Sequence, residues 1–355
     1  MSSDFAKELS QWYNQNKRDL PFRRNKDSYL IWISEIMLQQ TRVNAMLPAY
    51  NRFINRFPNL YSLATSTESE VLEKWQGLGY YNRARNLHKS AQQMIDQGYK
   101  SVPTDFDALL SFPGIGNYTA AAISSIAEDK PHAVLDGNVK RILRRLNAKF
   151  LSDSVLQSKA DELLKNSQIA PSIFNQAIME LGALICIPSI PKCNMCPVNN
   201  FCLSYKEGGP EYATSLTQTK KKTQIKLDVD LMIWVSKNQD TKTGDNVESR
   251  FFVTENKDGI FLKNHSMFAH QIAINQQLQH SSGFLSIAES RLIGKFTHVI
   301  QNWKIHTKVY WKLSKDEFNG GQWLTETEAK KKLHSSYCHK AFSKYLGFVA
   351  SKQSM

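Results

Sequence analysis

The 355-residue chain lacks any apolar run approaching the ~20 residues of a membrane span, which excludes an integral helical membrane protein. Its start, Met1-Ser2-Ser3-Asp4-Phe5, carries no basic stretch followed by an apolar core, so no secretory signal is expected. Glycine and proline are modest at 16 and 11, which excludes collagen-like and low-complexity chains. Cysteine is scarce at five, too few for a disulfide scaffold of this length. No internal repeat is visible. What remains is a globular composition, 41% hydrophobic and 22% charged, long enough for two domains. The net charge of +13 sits mainly beyond residue 212 and points to a polyanionic partner, because each neutralised phosphate releases counterions. A merely basic, soluble surface accounts for it equally well.

Apolar residues recur at helical spacing over 28–43, 45–57, 69–76, 83–97, 105–112, 118–127, 138–148 and 155–165. Pro58, Gly77-Leu78-Gly79, Pro103 and Pro113-Gly114 punctuate the joins, and no strand alternation interrupts them, so residues 1–185 read as all-α. Tyr205 to Pro210 and the run Lys220-Lys221-Lys222 read as a linker, placed at 213–226. Beyond it the period changes to two. Residues 228–235 and 250–254 read as strands. Ile305, Thr307, Val309, Trp311 and Leu313 alternate with Lys304, His306, Lys308, Tyr310 and Lys312, and a helix follows at 325–334. The second part is therefore α+β, with one basic sheet face.

Four of the cysteines fall together as Cys186-x6-Cys193-x2-Cys196-x5-Cys202, stiffened by Pro188, Pro191 and Pro197. Four thiolates on one compact loop suit a 4Fe–4S cluster or tetrahedral zinc. Zinc sites usually pair two short knuckles, whereas only one Cys-x2-Cys occurs here. Upstream, Leu109 to Ala122 joins two helices through Pro113-Gly114-Ile115-Gly116, in which glycines permit positive φ and close approach of a phosphate. The helix that follows begins with free amide donors, a ready anion site. A bare Gly-x-Gly is more often a plain turn.

Two carboxylates stand out. Glu35 has Ile31, Trp32 and Leu38 as helical neighbours, surroundings that resist ionisation and suit a general acid. Most glutamates on helices simply reach solvent. Asp136 precedes the basic amphipathic helix from Gly137, where amide donors and the helix dipole are expected to hold it ionised. A plain N-cap explains it as well. Together, one protonated and one charged carboxyl form the division of labour that breaks a glycosidic bond.

Long motifs then match in order: Leu20 to Arg23, Ser34 to Val43, Gly77 to Leu87, Leu135 to Arg141, Phe174 to Ala183 and the cysteine loop. With the hairpin, these resemble adenine DNA glycosylases of the MutY type, within the endonuclease III-like helix–hairpin–helix superfamily. The resemblance covers residues 1–212 strongly and 213–355 faintly. It implies a mainly α glycosylase domain over 1–212 with a 4Fe–4S loop at 186–202, a linker at 213–226 and a degenerate Nudix-like α+β domain over 227–350. It further implies that Glu35 protonates a flipped adenine, that Asp136 stabilises the sugar cation with Asn138 beside it, and that Arg23, Leu38, Val43, Tyr118 and Glu180 line the base pocket. Gln40 and Tyr80 would wedge into the duplex, with Thr41 and Leu78 near the opposite base and Gly114 and Gly116 on the backbone. Tyr80 as core and Glu180 as a buried partner of Arg23 are the structural alternatives.

The strand-cleaving relatives carry a lysine where Tyr118 stands, and a phenol forms no Schiff base, so base removal without efficient strand cleavage is expected. Lys140, near Asp136, is a candidate for DNA contact and for trapping an opened sugar. In the second domain, Ile300-Gln301-Asn302 replaces the family's Phe-Ser-His loop, which leaves Gln301 and Asn302 as candidates for reading the lesion. No Glu-rich Nudix box is present, which argues against a pyrophosphatase. The resemblance thus predicts a monomeric, cytoplasmic, nucleoid-associated repair enzyme that acts on adenine mispairs in double-stranded DNA and is neither secreted nor membrane-bound. An endonuclease III-like pyrimidine glycosylase/lyase is the enzymatic alternative, and a mismatch-binding scaffold the non-catalytic one.

Overall fold

The computed structural model describes residues 2–216, 225–237, 249–256, 262, 266–274, 277–281, 287–300, 303–314, 318 and 320–353. Two compact units emerge: residues 1–74 with 80–220, and residues 75–79 with 221–355. Among the described residues no helix is long and apolar enough to cross a membrane.

The first unit is helical: α1 Ser2–Asn16, α2 Ser28–Leu38, α3 Val43–Arg56, α4 Leu60–Ala64, α5 Glu68–Lys74, α6 Asn82–Asp96, α7 Phe106–Leu110, α8 Asn117–Glu128, α9 Gly137–Leu146, α10 Asp153–Lys165, α11 Pro171–Leu184 and α12 Leu203–Ser215. Its centre is α2, whose Tyr29, Ile31, Trp32, Ile33, Ile36 and Met37 are buried almost all round, as a helix walled in on every side requires. Asp27 starts α2 by accepting the amides of Tyr29 and Leu30. The helix ends at Leu38, not at residue 43 as periodicity suggests. Gln39 leaves helical geometry, and Gln40 turns the chain at a φ of 57°.

Small residues let α8 press against α2 and α11, with Ala120, Ala121, Ala122, Ser124 and Ser125 all buried. Proline at the first helical position opens α11, which also packs on α1 and α9. The segment read as a linker is helical through Ser215, although Gly208 and Gly209 kink α12. The buried Arg145 takes the Ala213 carbonyl at 2.8 Å, tying α12 back to α9. Residues 217–224 lie outside the described segments.

The second unit contains a mixed sheet of β1 Ile225–Lys237, β2 Ser249–Glu255, β3 Ser266–Met267, β4 Ala269–Ile274, β5 Gln277–His280, β6 Arg291–Ile300, β7 Trp303–Leu313 and β8 Gly321–Thr325, with helices α13 Glu326–Lys332 and α14 Ser336–Gln353. Strand β1 is its spine, pairing parallel with β7 along one edge and antiparallel with β4 and then β2 along the other. Alternate residues Leu227, Val229, Leu231, Ile233 and Val235 face a core completed by Tyr337, Ala341, Phe342 and Tyr345 of α14. Met232 and Trp234 on the opposite face meet Phe252, with Phe318 and Trp323 packed beside them. The sheet face expected to be basic is mixed: the register sets Asp228 beside His306 and Asp230 beside Lys308. Leu313, the last of the alternating apolar series, is 48% exposed.

Candidate active site

Helices α2, α8 and α11 bring Glu35, Tyr118 and Met179 together, with Asp136 at the start of α9 near enough for its charge to act on Glu35. Glu35, in the last turn of α2, is 6% exposed. Its Oε2 accepts the Tyr118 hydroxyl of α8 at 2.5 Å, and that hydroxyl also lies 3.4 Å from Met179 Sδ of α11. Burial raises the Glu35 carboxyl above its usual range. Tyr118 and Arg23 oppose that rise, and the charge of Asp136 adds to it. The two carboxyls, a hundred residues apart in sequence, thus share one electrostatic environment.

Asp136 is the N-cap of α9: Oδ1 takes the Val139 amide at 2.7 Å and Oδ2 takes Asn138 Nδ2 at 2.8 Å. The sequence leads one to expect a carboxyl held low by these donors. Instead burial outweighs the amides and Arg141, so its pKa lies above the ordinary value. The segment leading to it is pinned by Asn175, fully buried on α11. Asn175 Nδ2 reaches Ser125 Oγ and the His132 carbonyl at 2.8 Å each, and its Oδ1 accepts the Val134 amide at 3.2 Å.

Glu180 is occupied on both oxygens. Arg18 forks onto it at 2.7 and 2.8 Å, and Arg23 Nη1 reaches Oε2 at 2.6 Å. Burial alone would raise this carboxyl, yet the Arg18 hydrogen bonds and the Arg23 charge hold it at about 2. Glu180 is therefore the centre of a two-arginine clamp rather than an open pocket wall, and Arg18 is a partner that sequence motifs do not reveal. Leu38 and Val43 are half-buried at the two ends of the α2–α3 turn, as is Thr41 within it. Gln40 is exposed there, and Leu78 is buried.

Lys140 Nζ lies 2.6 Å from Asp153 Oδ2 of α10 in an ion pair open to solvent. In the α7–α8 hairpin only Gly114 needs its glycine for φ, at +80°, and a Cβ there would meet Asn86 Cβ at 2.9 Å. Gly116 is extended, at φ −103°, with nothing within 4 Å of a Cβ, so its backbone caps α8 beside open space. Gln301 and Asn302 lie outside the described residues.

The cysteine loop hangs on two arginines one turn apart on α9. Arg141 joins the site to the loop, with Nη2 on Asn138 Oδ1 at 2.8 Å and on the Gly182 carbonyl at 2.7 Å, and Nε on the Cys186 carbonyl at 2.7 Å. Arg145, 1% exposed, places Nη1 3.3 Å from Cys186 Sγ and 2.8 Å from the Ile187 carbonyl. Cys186, Cys193, Cys196 and Cys202 are half-buried free thiols. Burial first, and then the thiols of Cys202 and Cys186, push Cys193 up to about 11. Cys196 and Cys202 are raised by burial and feel the Cys186 thiol as well. Among the described residues no three His, Cys, Asp or Glu side chains close into a metal-holding group. The four thiols nonetheless share one electrostatic neighbourhood beside a buried guanidinium, a donor set and counter-charge suited to an anionic iron–thiolate group.

Residues 33–169 match the HhH-GPD superfamily of base excision DNA repair proteins. A thermostable thymine-DNA glycosylase is similar in structure, with a TM-score of 0.54 and 28% identity over 58% of this chain and 97% of that one. With the relatives that follow, these matches make the chain a DNA glycosylase of the helix–hairpin–helix base-excision class. The adenine DNA glycosylase of Buchnera aphidicola subsp. Schizaphis graminum is 37% identical over 255 residues, 68% of this chain and 73% of the relative. That of Buchnera aphidicola subsp. Acyrthosiphon pisum is 43% identical over 211 residues, 57% of this chain and 59% of the relative. The human adenine DNA glycosylase is 39% identical over 213 residues, 56% of this chain and 39% of its own length. The chain belongs to the adenine DNA glycosylase family.

Proposed function

We propose that this chain hydrolyses the N-glycosidic bond of adenine mispaired with 8-oxoguanine or guanine in double-stranded DNA. The observation that carries the reading is the buried pair of Glu35 and Tyr118 with the half-buried Asp136, at the start of α9, near enough for its charge to act on Glu35. A carboxyl kept protonated by burial donates its proton to a ring nitrogen of the extruded adenine. The C1′–N9 electron pair leaves with the base. The oxocarbenium-like sugar forms opposite the Asp136 carboxylate, whose two oxygens are aimed by Val139 N–H and Asn138 Nδ2, and water adds at C1′ while its proton returns to the Glu35 carboxylate.

Tyr118 supplies no amine, which favours base removal with little strand cleavage. Cys186, Cys193, Cys196 and Cys202 would hold a 4Fe–4S cluster whose iron–thiolate bonds shape the loop that Arg141 and Arg145 anchor. The second unit is proposed as a Nudix-like domain that reads the opposite base, with Gln301 and Asn302 in the reading loop. The family favours DNA as the partner, and a single chain working in the cytoplasm with the nucleoid completes the proposal.

Single-turnover release of adenine from duplexes carrying adenine opposite 8-oxoguanine, guanine and thymine tests this. The reading predicts release from the first two and little from the third. No release from any duplex refutes it, and equal rates opposite guanine and 8-oxoguanine refute the reading role of the second unit.

A further inference from the structure

Gln40 at φ 57° and Tyr80 at φ 48° hold a backbone conformation that glycine adopts cheaply and other residues rarely do, as Asp129, Ala148 and Gln168 of the same unit also do. Gln40 and Tyr80 are both exposed, Tyr80 at 40%, although its ring is of a kind usually buried. They lie on different segments, yet one side chain ties them together. Arg83, in the first turn of α6, directs Nη1 at the carbonyls of Ile36, Met37 and Gln39 at 2.8, 3.1 and 2.6 Å. Its Nη2 reaches Thr41 Oγ1 at 3.4 Å, and its guanidinium lies over the Tyr80 ring, 5.5 Å from the centroid. The three carbonyls are the open, electronegative end of α2, the helix that carries Glu35 in its last turn. A planar fork can serve three carbonyls and a ring at once, and an ammonium cannot.

An exposed aromatic ring on a fixed, strained turn has the form of a side chain inserted between base steps. We propose that Arg83 is a positioning residue that locks Gln40 and Tyr80 into one rigid wedge and thereby sets the extrusion of the target base, apart from the bond cleavage that follows. The inference rests on the glycosylase reading above and assigns the residue that prepares the wedge for it.

The test uses the full chain carrying Glu35→Gln, so that no base is released, and a duplex with 2-aminopurine at the target position. The fluorescence rise on unstacking reports extrusion. With Arg83→Lys, which keeps the charge and loses the fork, the rise is expected to slow or shrink about tenfold, the effect of losing one charge-assisted hydrogen bond, and with Arg83→Met, which loses every one of them, by at least as much. The melting temperature and the affinity for fully paired duplex should change little. Tyr80→Ser, which leaves the α2 carbonyls bonded, should give the same loss. An unchanged rise in the Arg83 variants overturns the proposal, as does a fall in melting temperature and paired-duplex affinity that matches the loss of signal. Absence of any rise with Arg83 intact, together with no adenine release by the wild-type chain, overturns the glycosylase reading itself, and this inference with it.

Discussion

Replacing Glu180 with Gln keeps the shape of the side chain and removes the charge that two arginines share. The native carboxyl is held at about 2 against an ordinary 4.5. That separation converts by linkage to about 3 kcal/mol of stability at neutral pH. The sign follows from proton counting: between about 2 and 4.5 the unfolded chain binds a proton that the native protein does not. The contribution is therefore complete above 4.5 and fades as pH falls toward 2. By the same relation about 1.4 kcal/mol should remain near pH 3. Removing one partner of a buried ionic cluster also leaves Arg18 and Arg23 uncompensated, at a cost of about 3–5 kcal/mol, so the two routes agree in size. For a unit of this length, about 3 kcal/mol corresponds to a melting temperature lower by roughly 6–12 °C. Thermal unfolding of wild type and Glu180→Gln, followed by circular dichroism at one scan rate, would show the gap at neutral pH and its narrowing near pH 3. A gap that stays constant across that range, or stays below about 1 kcal/mol, would refute the clamp.

Other outcomes follow from the same geometry. Burial raises Glu35 above its ordinary 4.5, so the native protein keeps a proton that the unfolded chain has lost, and stability falls as pH rises through the raised value. Glu35→Gln should therefore melt higher than wild type at neutral pH and equal to it in acid, which melting curves across pH would check. A methyl at position 182 would come within 2.6 Å of Asn138 Cβ. Gly182→Ala should accordingly cost about 1–3 kcal/mol and slow excision by disturbing the partner of Asp136. Gly137→Ala, whose Cβ meets nothing within 4 Å, should stay near wild type in the same melts. Cys196→Ser should purify with less iron per chain and weaker visible absorbance, and a variant with full iron content would remove that cysteine from the ligand set.

Local features of the site could be read from sequence, whereas those depending on distant partners could not. The apolar positions around Glu35 follow helical spacing, and the cap at Asp136 lies within three residues of its amide donor. The Gly114 turn likewise declares itself. Arg18, Arg83, Arg141 and Arg145 leave no such trace, because charged residues normally face solvent and three of these four spend their donors largely on backbone carbonyls. The raised pKa of Asp136 is hidden from sequence for a related reason: donors are local, whereas burial depends on helices that pack from far along the chain. The end of α2 at Leu38 was also obscured, since the apolar period runs on into α3 across the Gln39–Arg42 turn. Tyr337, Cys338, Ala341, Phe342 and Tyr345 mark a helical stripe on α14, and Phe174, Ala177, Ile178 and Leu181 mark one on α11.

The claim on which the account depends is that the carboxyls of residues 35 and 136 serve one nucleoside in one transition state. Single-turnover adenine release by Glu35→Gln, Asp136→Asn and the double variant measures this directly. Each single change should slow release by at least about 100-fold, and the double change should add little, as groups acting as a unit do. Losses that multiply in full, or an Asp136→Asn variant that releases adenine at the wild-type rate, would contradict it.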